Sequence, residues 1–216
     1  MQGISEAVIC DDQPINHATL LNESKYLTSW VTPDSLEIQA KYAEITEGLT
    51  TLRDKIHACW AYVNDIPYVQ FIKAKVNVAG ETFVQNDVWL DPGQAAHAPA
   101  LNCANRSFLL ASLLRQELPP NQVYVCFGNV NYNGTDGHGW IYANLDRQYI
   151  METTSPHIKT PFMDAISAEI YESVLFFNDA GVYYIPGAGL REPLSYCYCL
   201  RWLEDYIDSR ACDAYI

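Results

Sequence analysis

Residues 103–116 read Cys-Ala-Asn-Arg-Ser-Phe-Leu-Leu-Ala-Ser-Leu-Leu-Arg-Gln. Their apolar side chains fall on nearly every face of a helix, where a surface helix would show a single stripe. Such a segment is stable when covered on all sides, so the rest of the fold must be built around it. Asn102 is the natural cap at its start, and Pro119-Pro120 closes the helical region. Residues 122–130 follow as a strand that is apolar on both faces, which places it inside a sheet. Two more strands are expected at 138–144 and 148–153, joined at Asp146-Arg147.

Upstream, Thr32-Pro33-Asp34 reads as a helix start. That helix runs to about residue 47 and ends at Gly48. A second helix spans about 50–64, where Leu49, Leu52, Ile56, Trp60 and Val63 form one stripe. Residues 68–88 alternate weakly and read as short strands or an irregular loop, and Asp91-Pro92-Gly93 is a turn. Residues 93–102 form a small-residue loop, and 131–137 a loop or hairpin turn. Beyond Thr154 the pattern gives a short helix near 163–169, strands near 174–177 and 182–185, and a helix over 194–210. The economical architecture is one α+β domain, a helical layer on an antiparallel sheet. Its core covers about 32–155, with an N-terminal arm at 1–31 and an extension at 156–216 carrying strands and a helix.

Charged residues make up 18% of the chain and hydrophobic ones 49%, which favours a packed core over disorder. The net charge of -13 repels nucleic acid and anionic membranes, so neither is an expected partner. A protein or peptide substrate of neutral or basic character is accommodated. Residues 1–10 lack a basic n-region, and Glu6 interrupts their apolar run, so no signal peptide is expected. No apolar stretch approaches the roughly 20 residues that span a bilayer. Seven cysteines, an odd and irregular set, favour free thiols and a cytoplasmic location. Cys197, Cys199 and Cys212 fall short of a zinc set, and Asp11-Asp12 lacks a calcium-loop pattern, so neither metal nor cofactor is expected.

Three residues carry chemistry. Cys103 stands where the first amides of the central helix point outward and favour an anion. His138 lies between Gly137 and Gly139 on the next strand but one, with Trp140 two residues on. Glu152 follows on the adjoining strand, and a hairpin centred near residue 145 would set it directly opposite His138. A thiol, a base and a carboxylate that orients the base are the parts of covalent acyl transfer.

The segments Cys103-Ala104-Asn105-Arg106-Ser107, Gly137-His138-Gly139-Trp140 and Tyr149-Ile150-Met151-Glu152-Thr153-Thr154 stand in the order of thiol, base and acid. Trp89 and Pro92 add a Trp-x-x-Pro element. Over roughly 50–155 this resembles the transglutaminase-like superfamily of papain-type thiol enzymes, of the prokaryotic or viral single-domain type. Asn102, Asn105 and Glu152 stand where Gly, Asp and Asp are common in that family. The resemblance implies a buried helix bearing the Cys and a sheet bearing His and acid. It further implies cleavage or acyl transfer at a peptide or Gln carboxamide bond through a Cys103 thioester, with His138 and Glu152 completing the catalytic set. The Cys103 backbone N–H is one expected oxyanion donor. The Trp89 indole is the first choice for the second, followed by Gln85 or Gln94, and Asn105 and Trp140 are candidates for substrate contact. Hydrolysis is favoured over cross-linking, for want of obvious accessory domains. An inactive peptide-binding module of the same fold and a cross-linking transglutaminase remain the alternatives.

Overall fold

The computed structural model describes residues 6–9, 27–78, 81–86, 88–131, 135–155, 157–165 and 170–184. Helix α1 (Leu36–Ile45) begins a few residues later than the Thr32-Pro33 signal suggests. Thr32 instead closes a turn, its carbonyl accepting from the Ser35 amide at 3.2 Å. Gly48, with φ of 75°, supplies the left-handed residue that stops the chain after α1. Helix α2 (Leu52–Asp65) is capped by Thr51, whose hydroxyl accepts from the Asp54 amide at 3.1 Å. Ile56, Cys59, Trp60 and Val63 bury its stripe, but Leu52 is 44% exposed, because it sits in the first turn beyond the edge of the core.

The weakly alternating region resolves into two strands. β2 (Phe71–Val78) pairs antiparallel with β3 (Glu81–Asn86), and β1 (Glu6–Ile9) pairs parallel with β2. The loop before Cys103 contains one turn of helix, α3 (Pro92–Ala95), which Asp91 caps by accepting from the Gly93 amide at 2.8 Å. Helix α4 (Cys103–Leu114) then runs through the centre, and every residue from Ala104 to Leu114 is buried. It packs on β4 (Val123–Asn131) and β5 (Thr135–Asn144) on one side and on α1, α2 and α3 on the other.

A six-stranded antiparallel sheet forms the second layer, in the order β7-β6-β5-β4-β8-β9. Its remaining strands are β6 (Gln148–Met151), β7 (Met163–Asp164), β8 (Tyr171–Asn178) and β9 (Gly181–Tyr184). Met163 and Asp164, expected in a helix, pair with β6 instead. The helix expected over 194–210 and the turn residues 132–134 lie outside the described residues. On the helix-facing side Val123, Val125, Phe127, Ile141, Ala143 and Met151 join the main core. Cys126, Trp140 and Ile150 form a smaller cluster on the opposite side, with Tyr171 and Phe176 packed against it. Among the described residues no helix is long and apolar enough to cross a membrane.

Candidate active site

Asn102 fixes the start of α4. Its side-chain oxygen accepts from the Asn105 amide at 3.0 Å and from the Asn105 side-chain nitrogen at 2.8 Å. Asn105 in turn accepts from the Leu90 amide at 2.6 Å and donates to the Val88 carbonyl at 3.1 Å. Expected as a substrate contact, Asn105 is instead fully buried, with its amide engaged in binding residues 88–90 to the helix. Leu101 is held from the other side: its amide donates to the Pro67 carbonyl at 2.9 Å, and its carbonyl accepts from the Val69 amide at 3.1 Å. Cys103 is thus delivered at a rigid helix end, partly exposed, with a backbone amide that has no acceptor inside the helix.

The β5–β6 pairing runs Ile141↔Met151, Tyr142↔Ile150, Ala143↔Tyr149 and Asn144↔Gln148. The hairpin is therefore centred on Asp146, one residue later than expected, and its register extrapolates to Thr154 opposite His138. Glu152 lies on the diagonal. Diagonal positions are roughly 7–8 Å apart, within reach of a long side chain. The reach is made: His138 Nε2 lies 2.7 Å from Glu152 Oε2.

Glu152 is 2% exposed and saturated with donors. Its Oε2 also accepts from the Tyr171 hydroxyl at 3.0 Å. Its Oε1 accepts from the Thr154 amide at 2.6 Å and the Thr154 hydroxyl at 2.7 Å. Its backbone carbonyl accepts from the Trp60 indole at 2.6 Å. Burial by itself opposes ionisation, but the His138 charge and these hydrogen bonds prevail and hold the carboxyl at about 2. Glu152 is therefore an anion that accepts from His138, so the Nε2 proton sits between them.

Nδ1 is then the nitrogen left to act as a base, and Cys103 is close enough to the imidazole to favour its charged form. Burial disfavours a charged His138, but the Glu152 carboxylate and Cys103 outweigh it and raise its pKa well above 6.5. Gly139 lies beside the first turn of α4. A Cβ there would lie 2.9 Å from Phe127 Cε1, so the bare backbone admits the Phe127 ring, whereas Ala104 Cα at 3.6 Å would be in ordinary contact.

Arg106, one turn into α4, is buried and donates to the carbonyls of Thr153 and Ile66. It ties the acid-bearing segment to the helix that bears the thiol. Burial lowers its pKa to about 10, against the pull of Tyr68, Glu152 and Cys103, so it stays cationic at neutral pH. The other described thiols, Cys59 and Cys126, differ from Cys103 in exposure. Cys59 is buried and pushed up to about 12, and Cys126 is buried and raised well above 9.0.

The other residues expected at the site separate. Trp89 is 5% exposed, and its ring packs with Trp30, Phe108 and Phe127 in the core. Its indole N–H is buried without a partner. Gln94 is exposed on α3. Trp140, expected to meet substrate, is 1% exposed and lies against His138 with ring centroids 6.0 Å apart, so it backs the imidazole from beneath. Sequence reasoning missed Trp60, Thr154 and Tyr171 as partners of Glu152. Thr154, two residues past the acid, carried the one local signal, since a hydroxyl at that spacing readily bonds back.

No family model matches the chain, and no curated protein does. LapG of Legionella pneumophila superposes with a TM-score of 0.50 at 11% identity, over 81% of this chain and 90% of that one. Its calcium-bound form gives a TM-score of 0.51 at 11% identity, over 88% and 99%. The central thiol-bearing helix packed on an antiparallel sheet is, on this likeness, the transglutaminase-like, papain-type α+β fold.

Proposed function

We propose that the protein is a cysteine hydrolase of amide bonds in a peptide or protein, working through a thioester on Cys103. The carrying observation is the imidazole of His138, whose Nε2 lies 2.7 Å from the Glu152 carboxylate and whose charged form both Glu152 and Cys103 favour. His138 holds the thiol proton as an imidazolium while sulfur attacks the carbonyl carbon, forming the S–C bond. Glu152 stabilises the imidazolium produced. The Cys103 backbone N–H is aimed at the developing oxyanion. As the tetrahedral species collapses, the C–N bond breaks and His138 returns its proton to the leaving amine. Water then attacks the thioester, again with His138 as base, and releases the acid and the thiol. The contrast between a partly exposed Cys103 and the sealed Cys59 and Cys126 supports the same assignment.

The test is intact-mass analysis after brief exposure to a panel of peptide probes bearing thiol-trapping groups, alongside iodoacetamide at pH 6. Wild type should gain a single adduct on Cys103 at least ~10-fold faster than on any other cysteine, as a base-paired thiol demands. Cys103→Ala should gain none on this timescale, and His138→Ala should lose the preference. Slow labelling spread over all cysteines would instead support a binding module of the same fold. Acyl transfer to an added amine in place of water would mark a cross-linking enzyme.

A further inference from the structure

We propose that Tyr171 is a positioning residue for the catalytic imidazole, acting through a closed ring of four side chains, His138, Glu152, Tyr171 and Trp140. The inference rests on the reading of the site given above. Each link is a direct contact. His138 Nε2 meets Glu152 Oε2 at 2.7 Å, and the Tyr171 hydroxyl donates to that same oxygen at 3.0 Å. The Tyr171 ring meets Trp140 edge to face with centroids 5.1 Å apart, and Trp140 lies nearly parallel to His138 at 6.0 Å. The imidazole is thus held at its edge by the acid and on its face by the indole, and Tyr171 supports both.

Backbone features on the neighbouring strands make room for this ring. The β4–β8 pairing shifts register between Phe127 and Gly128, a bulge beside the site. A Cβ on Gly128 would lie 2.0 Å from the Glu172 carbonyl oxygen and 2.8 Å from Trp140 Cη2. The bare glycine therefore admits both the bulged strand that carries Tyr171 and the indole against which Tyr171 rests. Tyr171 is protonated, since burial first and the Glu152 charge second push its pKa up, so its hydroxyl donates.

The shared oxygen has a chemical consequence. A phenol bonded to Oε2 draws negative charge from the atom that His138 faces. Its bond is stronger when the imidazole is neutral than when the imidazolium already offsets the carboxylate. Tyr171 therefore favours the neutral base and restrains the rise that Glu152 imposes on His138. It also occupies a lone pair that would otherwise let the carboxylate swing. The charged or titratable groups facing this pair are Cys103 on α4, Arg106 one turn along it, and Tyr171 itself.

Tyr171→Phe removes the hydroxyl and keeps the ring against Trp140. The decisive measurement is a ¹⁵N titration of the His138 ring nitrogens in the full chain, which reads tautomer and pKa without any turnover. In the variant the His138 pKa should rise by roughly half a unit, and its low-field Nε2 proton should move further downfield. With a cleavable substrate, kcat should fall several-fold while KM holds. Phe176→Leu, in the same cluster but touching neither His138 nor Glu152, should lower stability and leave the titration in place. An unchanged His138 titration in Tyr171→Phe, or an equal shift in Phe176→Leu, would reduce Tyr171 to packing. Because the spectrum does not depend on catalysis, a protein found inactive with Cys103 intact would overturn the hydrolase reading and leave the role of Tyr171 to be decided separately.

Discussion

Replacing Glu152 by Gln exchanges one heavy atom, a carboxylate oxygen for an amide nitrogen, and should remove most of the reactivity of Cys103. The carboxylate accepts four hydrogen bonds, two on each oxygen. An amide offers one oxygen and one NH₂, so one pair of donors must face another donor. On the Oε1 side the Thr154 backbone amide, at 2.6 Å, has no freedom to turn. The glutamine oxygen therefore stays with Thr154, and its NH₂ faces His138 Nε2 and Tyr171. The Tyr171 hydroxyl can rotate to accept. The imidazole can accept at Nε2 only by moving its proton to Nδ1, which then presents a donor to sulfur in place of a base.

Two losses compound in this variant. A buried hydrogen bond to a charged group is worth ~1.5–3 kcal/mol, or ~10- to 100-fold in the population of the imidazolium. The wrong tautomer removes the base in the ground state as well. Together they should lower the acylation rate by ~10³–10⁴-fold, the size of loss seen when such a carboxylate becomes an amide in a triad. Alkylation of Cys103 at pH 6, followed by intact mass, measures this without a known substrate, while the ¹⁵N pattern of His138 reports the tautomer. A variant alkylated within threefold of wild type, with its proton still on Nε2, would falsify the argument that Glu152 sets the state of the base.

The same pair shapes stability against pH. Glu152 is depressed from 4.5 to about 2, so its contribution is complete above about 4.5 and drains as pH falls through about 2. His138 is raised, so its contribution is complete below 6.5 and is lost as pH climbs through its higher folded value. The urea midpoint should therefore be flat between about 4.5 and 6.5 as far as this pair contributes, and Glu152→Gln should soften the acid limb. An acid limb identical in the two proteins would show that the pair is not coupled to folding. Gly139→Ala should cost ~1–3 kcal/mol by crowding Phe127 and should leave Cys103 alkylation unchanged, since Ala104 stays in ordinary contact. Slowed alkylation would mean that the Phe127 ring also positions the helix start.

Much of this arrangement was legible because it depends on local rules. A helix apolar on every face must be central, an Asn before it must cap, and strands of period two must follow the glycine-rich turn. Those rules placed Cys103, His138 and Glu152 on three adjacent elements. What sequence could not give was set by contacts distant along the chain. Tyr171 reaches Glu152 from a strand on the far side of β4, and no pattern near either residue announces it. Trp60 bonds the Glu152 carbonyl from α2, though its place in an apolar stripe marked it as core alone. Trp140 and Asn105 read as site residues from their neighbours in sequence, but both are turned inward, where Trp140 lies against His138 and Asn105 holds residues 88–90 to the helix.

The one-residue displacement of the hairpin centre explains an identity that the sequence left as a departure. In a hairpin centred at 145, positions 138 and 152 oppose each other at roughly 5 Å, and a short Asp would suffice. Centred on Asp146, the register that places Ile141 across from Met151 sets position 152 two residues off the imidazole. A carboxylate there must lean back along the strand, and the extra methylene of Glu supplies the length. The acid's identity and the strand register are thus one constraint. Glu152→Asp should break the 2.7 Å contact even though it keeps the charge, whereas moving the hairpin turn by one residue in an Asp variant is the change that would restore it.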